Sequence, residues 1–344
     1  MNGTQAVDQL DEKLLADYLL KHVDGFTGPV TASKFAGGQS NPTFKLETAN
    51  NTYVLRRQPP GKLLKSAHAV DREYRVLDAL KDSAVPVAKV YHLCEDPSVI
   101  GSMFYIMEYV EGRVFWDSSL PDIKDNATRA KMYQQMVEVM AALHSVDIDA
   151  QGLADYGKPG NYYERQFSRW SKQYTLSETQ PIAEMDSLIS WLAENLPEDD
   201  GKVSLVHGDY RMDNLMFHSD ESSIVAVLDW ELSTLGHPYA DLAYQCMQMR
   251  LPENIGHATG LGGIDREALG IPSEEEYVAE YCRQVGIENI ENWNFYLAFS
   301  FFRLGAIAQG VAKRAQDGNA SSKQALQVGD MVQPLAQYAL KLTQ

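Results

Sequence analysis

The stretch LVHGDYRMDNLMFH, residues 205 to 218, sets Asp209, Arg211, Asp213, Asn214 and two histidines between apolar flanks. Asp209 and Asn214 lie five residues apart, and Asp229 closes the next apolar run, SIVAVLDW, which follows the turn-forming HSDESS. A loop between two strands uses Asp and Asn simply to satisfy its own backbone, and that is the plain account of this segment. If the two runs pair as a hairpin, however, the side chains of Asp209, Asn214 and Asp229 converge. Their oxygens are hard ligands of the kind Mg²⁺ takes, with water and substrate phosphates completing its octahedron. Convergence of this type points to phosphate chemistry.

The rest of the chain must fold well enough to aim these groups. Its 344 residues, 44% hydrophobic and 22% charged, suit a folded protein of about two domains with a substantial core. A formal net charge of -17 repels phosphate backbones and anionic lipid, so neither nucleic acid nor membrane is expected as a partner. Cys94, Cys246 and Cys282 are odd in number and far apart, as expected of reduced thiols in the cytoplasm rather than a disulfide framework or a metal knuckle. The eight histidines are scattered, which gives a zinc site little support. The N-terminal MNGTQAVDQLDEKLLADYLL reads as an amphipathic helix without the features of a signal peptide. The run FYLAFSFF at 295 to 302 is closed by Arg303, short of the roughly 20 residues a membrane span needs.

Segment periodicity divides the chain in two. VTASKFAGGQSNPTFKLETANNTYVLRRQPP reads as three antiparallel strands, with ANN as a turn and Pro59 and Pro60 as the stop. In SAHAVDREYRVLDALKD, Val70, Glu73, Leu77 and Leu80 fall on one helical face, which puts an acid on the apolar stripe. AKVYHLCE and SMFYIMEYV add two more strands. From about residue 125 the pattern is helical, interrupted only by the opening stretch and its partner run. A boundary near EYVEGR gives a first unit of residues 1–110 and a second of 111–344.

HGDYRMDN resembles the HGDxxxxN catalytic loop of the aminoglycoside phosphotransferase and choline kinase-like family, and LDWE resembles that family's counterpart of the kinase DFG motif. The resemblance extends over nearly the whole chain. It implies an α+β, protein kinase-like two-lobed fold: a small antiparallel β-sheet lobe with one key helix, and a larger, mostly helical lobe. It further implies ATP and Mg²⁺ as cofactors, with Asp209 accepting or orienting the proton of an acceptor hydroxyl and Asn214 and Asp229 holding Mg²⁺. In YVLRR, Val54 and Arg56 share one strand face, and the resemblance sets Val54 under the adenine and Arg56 at the phosphates, with Glu73 as partner of Arg56. Arg stands here where many relatives carry Lys. It still neutralises phosphate, but its longer planar fork is not interchangeable with an ammonium.

By the same resemblance Gly38 and Ser40 of GGQSN would face the phosphates, and backbone groups of Glu108 and Val110 in MEYVEG would meet the adenine edge. Asp241 in GHPYADLAYQ would brace the catalytic loop by accepting its amides, with His207 packed beneath and His144 close by. An ordinary hairpin turn would use GGQSN equally well, and side chains in MEYVEG carry little information.

For the acceptor, NYYERQFSRWSKQY places Tyr163, Phe167, Trp170 and Tyr174 on one helix face, and Arg165, Arg169 and Lys172 on a separate basic stripe. The stripe is either a solvated face offsetting nearby acids or a reader of an anionic acceptor. GGQSNPT, VLRRQPPG and YGKPGNYYERQFSRW resemble the branch related to the kinase-like domain of some acyl-CoA dehydrogenases, a branch associated with hydroxylated acyl chains and their CoA thioesters. The expectation is therefore an ATP- and Mg²⁺-dependent small-molecule kinase acting on a hydroxyl, with a hydroxyacyl-CoA or hydroxy acid as acceptor. The alternatives are an aminoglycoside or amino-alcohol kinase, a nucleotide-binding pseudokinase, and a metal-dependent phosphoesterase.

Overall fold

A computed structural model describes residues 10–35, 41–59, 68–253, 260–318 and 325–344. Strands β1 (Thr31–Lys34), β2 (Thr43–Glu47), β3 (Thr52–Arg57), β4 (Val90–Cys94) and β5 (Phe104–Glu108) form one antiparallel sheet in the order β1-β2-β3-β5-β4. Alternation along β3 decides which side does what. Tyr53 and Leu55 join Phe44, Leu46, Phe104 and Ile106 in a core capped by Leu15 and Leu19 of helix α1 (Glu12–His22). The residues between them, Val54 and Arg56, therefore turn to the opposite face, toward helix α2 (Val70–Leu80).

Helix α2 buries Val70, Glu73, Val76, Leu77 and Leu80. Its polar face is held from the second half of the chain: Arg72 donates to the carbonyls of Tyr156 (2.7 Å) and Ser233 (3.3 Å), with its guanidinium 4.1 Å from the Tyr156 ring centroid. Arg75 donates to Gly152 O at 2.7 Å. The acid-bearing helix is thus fixed to both halves of the molecule.

The second half is built on helices α3 (Asn126–His144), α4 (Tyr162–Ser177), α5 (Ala183–Glu194), α6 (Tyr239–Arg250), α7 (Arg266–Leu269), α8 (Glu274–Val285), α9 (Trp293–Gln316), α10 (Ala325–Val328) and α11 (Val332–Leu340). Helix α9 is the axis, packed by α4, α5, α6 and α11. The apolar segment is longer than the eight residues from 295 to 302 suggest. At 24 residues, α9 meets the length and composition of a membrane span, and 78% of its most apolar 18-residue window is buried inside the fold, as in a core helix. Arg303 does not close it, because its charge leaves the apolar stripe toward a carbonyl described below.

Two small sheets sit within this half. Strand β8 (Leu215–Phe217) lies between β6 (Arg113–Val114) and β9 (Ile224–Val227), while β7 (Ser204–Val206) pairs with β10 (Thr234–Gly236). The expected hairpin is therefore β8 with β9, and β7, the other flank of the loop, belongs to a separate sheet. The 3₁₀ turn Met212–Asn214 redirects the chain between them. At two and three residues, β6 and β10 are too short to show an alternation in sequence.

The connection from β5 to β6 passes Gly112, where a Cβ would come within 2.5 Å of both Met216 Cγ and Phe217 O. Gly112→Ala must push this connection off β8, at an expected cost of about 1–3 kcal/mol for forced overpacking. The thermal unfolding midpoint should fall accordingly. A midpoint equal to wild type would show that the connection gives way freely.

Candidate active site

The loop between β7 and β8 is held from beneath. Asp241, in the first turn of α6 and 1% exposed, accepts the amide of His207 at 2.6 Å and that of Gly208 at 2.8 Å. His144 Nε2 lies 3.3 Å from the same carboxylate, and its Nδ1 lies 2.7 Å from the Tyr281 hydroxyl. Burial alone would lift the Asp241 carboxyl, but His144 first, then His207 and its amide, outweigh it and hold the group below the usual carboxylate range. Gly208 is required twice over: its φ is +83°, and a Cβ would sit 2.7 Å from Leu232 O.

His207 links the two halves of the motif. Its Nε2 lies 2.8 Å from Leu228 O and its Nδ1 accepts the Asp209 amide at 3.2 Å, which makes Nε2 the protonated nitrogen. The Leu228 amide donates to Asn214 O at 2.8 Å. Asp209, Asn214 and Asp229 are therefore tied through backbone bonds on either side of Leu228. Asn214 turns its Nδ2 to Asp209, 2.9 Å from the main-chain oxygen and 3.0 Å from Oδ2, leaving its own Oδ1 directed elsewhere. Asp229 sits at φ +60°, left-handed for a residue with a Cβ, a local strain that the surrounding bonds must sustain.

Arg56 crosses from the large sheet to this group. Its Nη2 donates to Asp229 Oδ1 at 2.7 Å, and its Nε lies 2.7 Å from Glu73 Oε2, out of line for a hydrogen bond and so an ion pair. Burial works against the Arg56 charge, but Glu73, then Tyr105 and Asp229, outweigh it and hold the guanidinium above its ordinary value. Glu73, 2% exposed, is lifted by its burial despite Arg56. It also accepts from Asn41 Nδ2 at 2.8 Å and from the Tyr105 hydroxyl at 3.2 Å. Asn41 and Tyr105 were not among the sequence-predicted residues. Tyr105 stands directly opposite Arg56 in the β3–β5 register, a placement visible only once the strands are paired.

These groups open onto a cleft of about 360 Å³ whose walls include Val54, Arg56, Glu73, Met107, Asn214 and Asp229. Glu108 and Val110 line it as well. The amide of Glu108 is used by Lys89 O at 2.8 Å, and that of Val110 has no hydrogen-bond partner among the described residues. Asp209 is not part of the cleft wall and stands beside it, joined through Asn214. Gly38 and Ser40 lie outside the described residues. A larger basin of about 1010 Å³ between α3 and residues 264–280 contains none of the predicted site residues, so the chemistry of its walls, not size, singles out the smaller cleft.

A hard-oxygen site fits what is present: the Asp229 carboxylate, and Asn214 with its amide nitrogen already committed. Among the described residues no group of three or more His, Cys, Asp or Glu side chains converges, so a metal here would draw on Asn214 and on ligands from outside the protein.

A sequence profile of the family described as "Phosphotransferase enzyme family" matches residues 31–281. The chain belongs to this phosphotransferase family. It is 47% identical over 328 residues to mouse "Acyl-CoA dehydrogenase family member 10", covering 94% of this chain and 30% of that protein. It is 44% identical over 340 residues to human "Acyl-CoA dehydrogenase family member 11", covering 97% and 43%. The chain thus spans less than half the length of these curated relatives. Among solved structures, a putative aminoglycoside phosphotransferase from Ralstonia eutropha superposes with a TM-score of 0.89 at 51% identity, covering 97% and 98% of the two chains. A choline kinase from Cryptosporidium parvum, 12% identical with a TM-score of 0.63 over 97% and 95%, shares the fold. The kinase-like, α+β phosphotransferase architecture is therefore shown.

Asp241→Asn would leave the loop amides facing a neutral group in a buried site. Breaking a buried charge-paired network costs about 3–5 kcal/mol. Because the Asp241 pKa is depressed in the fold, its contribution is fully present above the unfolded value of about 3.9 and is lost as pH falls through the lower folded value. Denaturation of wild type and variant should differ most at neutral pH, and the gap should narrow only below about pH 4. A gap that stays constant down to pH 2 would contradict this assignment.

Proposed function

We propose that this phosphotransferase moves the γ-phosphoryl group of ATP to a hydroxyl of an anionic small molecule, a hydroxy acid or a hydroxyacyl-CoA. The observation that carries the phosphate half is the Arg56 bridge, 2.7 Å from Glu73 on one side and 2.7 Å from Asp229 on the other, at the edge of a cleft also lined by Asn214. Val54 would pack on the adenine, and the hinge at Glu108 and Val110 would meet its polar edge. Arg56, oriented by Glu73, would neutralise the α- and β-phosphates. Asn214 and Asp229 would hold Mg²⁺, which supplies charge neutralisation to the transferring group. Asp209 takes the hydroxyl proton as the acceptor oxygen forms its bond to phosphorus and the bond to the ADP oxygen breaks. Most of the catalysis in such a site is positioning and charge stabilisation, which suits a loop fixed by buried hydrogen bonds.

The acceptor half rests on charge. Arg211 lies 3.5 Å from Asp209 and 2.8 Å from Asp213, and Arg303 touches the loop at Gly208. Burial raises the Asp213 carboxyl, with Arg211 opposing the rise. Arg211 is already paired with Asp209 and Asp213, so the cation beside the proposed base that remains for an acceptor is Arg303, which favours an anionic acceptor over a polycationic aminoglycoside. The names of the curated relatives, which cite acyl-CoA, agree with that chemistry. One observation favours a non-catalytic nucleotide-binding reading: Arg56 takes up an oxygen of Asp229 that a metal would use.

Asp209→Asn separates the two readings. Turnover in an ATP-consumption assay over hydroxyacyl-CoA thioesters, hydroxy acids, amino alcohols and aminoglycosides should fall by about 10²–10⁴, the usual contribution of a general base. Calorimetric affinity for Mg·ATP should stay near wild type. Undiminished turnover in the variant would remove Asp209 from the mechanism, and no transfer by wild type to any acceptor would support the non-catalytic reading.

A further inference from the structure

The stripe read from the sequence separates in the structure. Arg165 is absorbed locally, donating to the carbonyls of Lys158 (2.5 Å) and Pro159 (3.4 Å). Arg169 and Lys172 are exposed. Arg169 lies 5.1 Å from the ring centroid of Trp170, and the same indole has a second guanidinium over it, that of Arg303 at 5.8 Å. Arg303 comes from α9, a helix whose neighbouring side chains Phe299, Phe302 and Ala306 are buried apolar groups.

Arg303 is half-buried, and its guanidinium lies 5.5 Å from the Tyr244 ring. The Tyr244 phenol is pushed up by its burial and then by the neighbouring Asp209 carboxylate. Nη2 of Arg303 donates to Gly208 O at 2.8 Å, one residue before Asp209. That bond uses one of five guanidinium N–H groups. Among the described residues no carboxylate lies within ion-pair distance of Arg303, Arg169 or Lys172, although the protein carries a net charge of -17. A half-buried guanidinium with spare donors, set near two aromatic rings and with no carboxylate in ion-pair distance among the described residues, is prepared to take a planar anion from outside.

We propose that Arg303, sharing the Trp170 ring with Arg169, binds the anionic group of the acceptor and makes acceptor charge the basis of selection. The inference rests on the phosphotransferase reading of the site and deepens it. Arg303 is a specificity-determining residue here, and its bond to Gly208 O makes it a positioning residue for the loop as well. The two roles separate experimentally, because loop positioning affects every acceptor alike, whereas anion binding affects only charged ones.

The test uses a hydroxy acid and its primary amide, matched in chain length and hydroxyl position. The ratio of kcat/KM for acid over amide is measured in wild type, R303Q, R303K and R169Q. Wild type should favour the acid. R303Q should lower turnover of both through the lost Gly208 bond, and should further reduce the acid-to-amide ratio by about 10- to 100-fold, mostly through KM for the acid. R303K should recover part of the ratio, and R169Q should lower it by a smaller factor.

Equal losses on both acceptors in R303Q would overturn the inference and leave Arg303 as a loop brace only. If R303Q fails to fold, an unchanged ratio in both R303K and R169Q overturns it in the same way. A wild-type enzyme that phosphorylates hydroxyls without preferring the acid would instead overturn the anionic-acceptor reading itself. A wild type that transfers to no acceptor, hydroxyacyl-CoA thioesters, amino alcohols and aminoglycosides included, would overturn the phosphotransferase reading.

Discussion

One buried carboxylate holds the loop on which everything else depends. Asp241 accepts from the amides of His207 and Gly208, and the ring of His144 lies against the same carboxylate. Deep in a helical core it has no water to fall back on, so its acceptor sites must be filled by this loop in this conformation. From there the geometry is transmitted in short steps. The His207 ring reaches Leu228 O, the Leu228 amide reaches Asn214 O, and the next residue is Asp229. Main-chain bonds thereby bring the three oxygen-bearing side chains together, and Asn214 Nδ2 joins two of them directly through Asp209 Oδ2.

The large sheet contributes a single cation to this arrangement, and the choice of arginine has a physical consequence. A guanidinium presents donors along two edges, so Arg56 can stay beside Glu73 while Nη2 points to Asp229. An ammonium would have one point of charge to share between the two. Glu73 is in turn secured by Asn41 and Tyr105, which fixes the near end of the guanidinium and leaves the far end to exchange partners. The left-handed backbone at Asp229 shows that the chain accepts strain to present this carboxylate toward the cleft.

Much of this was legible in the sequence, for identifiable reasons. The loop residues stand at fixed short spacing, and Glu73 betrayed itself as an acid on an apolar helical stripe. The alternation of TYVLRR put Val54 and Arg56 on one face, as found. What escaped was whatever depends on pairing between distant segments. Tyr105 and Asn41 look ordinary until β3 meets β5 and α2. Arg303 is 95 residues from Gly208, and in sequence it reads as the end of an apolar run rather than as a contact to the loop. The whole opening stretch and the run SIVAVLDW read as one hairpin because β6 and β10 are too short to signal their own presence. The stripe on α4 was visible, but its division into a locally satisfied Arg165 and an Arg169 with no ion pair among the described residues was not.

The axial helix has a bearing on where this fold can be cut. The family match ends at residue 281, before α9 begins at Trp293. Yet α9 fills the space between α4, α5, α6 and α11, and it supplies the guanidinium at Gly208 O. A fragment trimmed to the matched segment would retain every residue of the recognisable motifs while exposing the aromatic face of α4 to water. Excision of this unit from a longer polypeptide, or its transplantation into another, therefore has to respect the helices that follow the motif-bearing region, since the signature and the self-sufficient folding unit do not end at the same place.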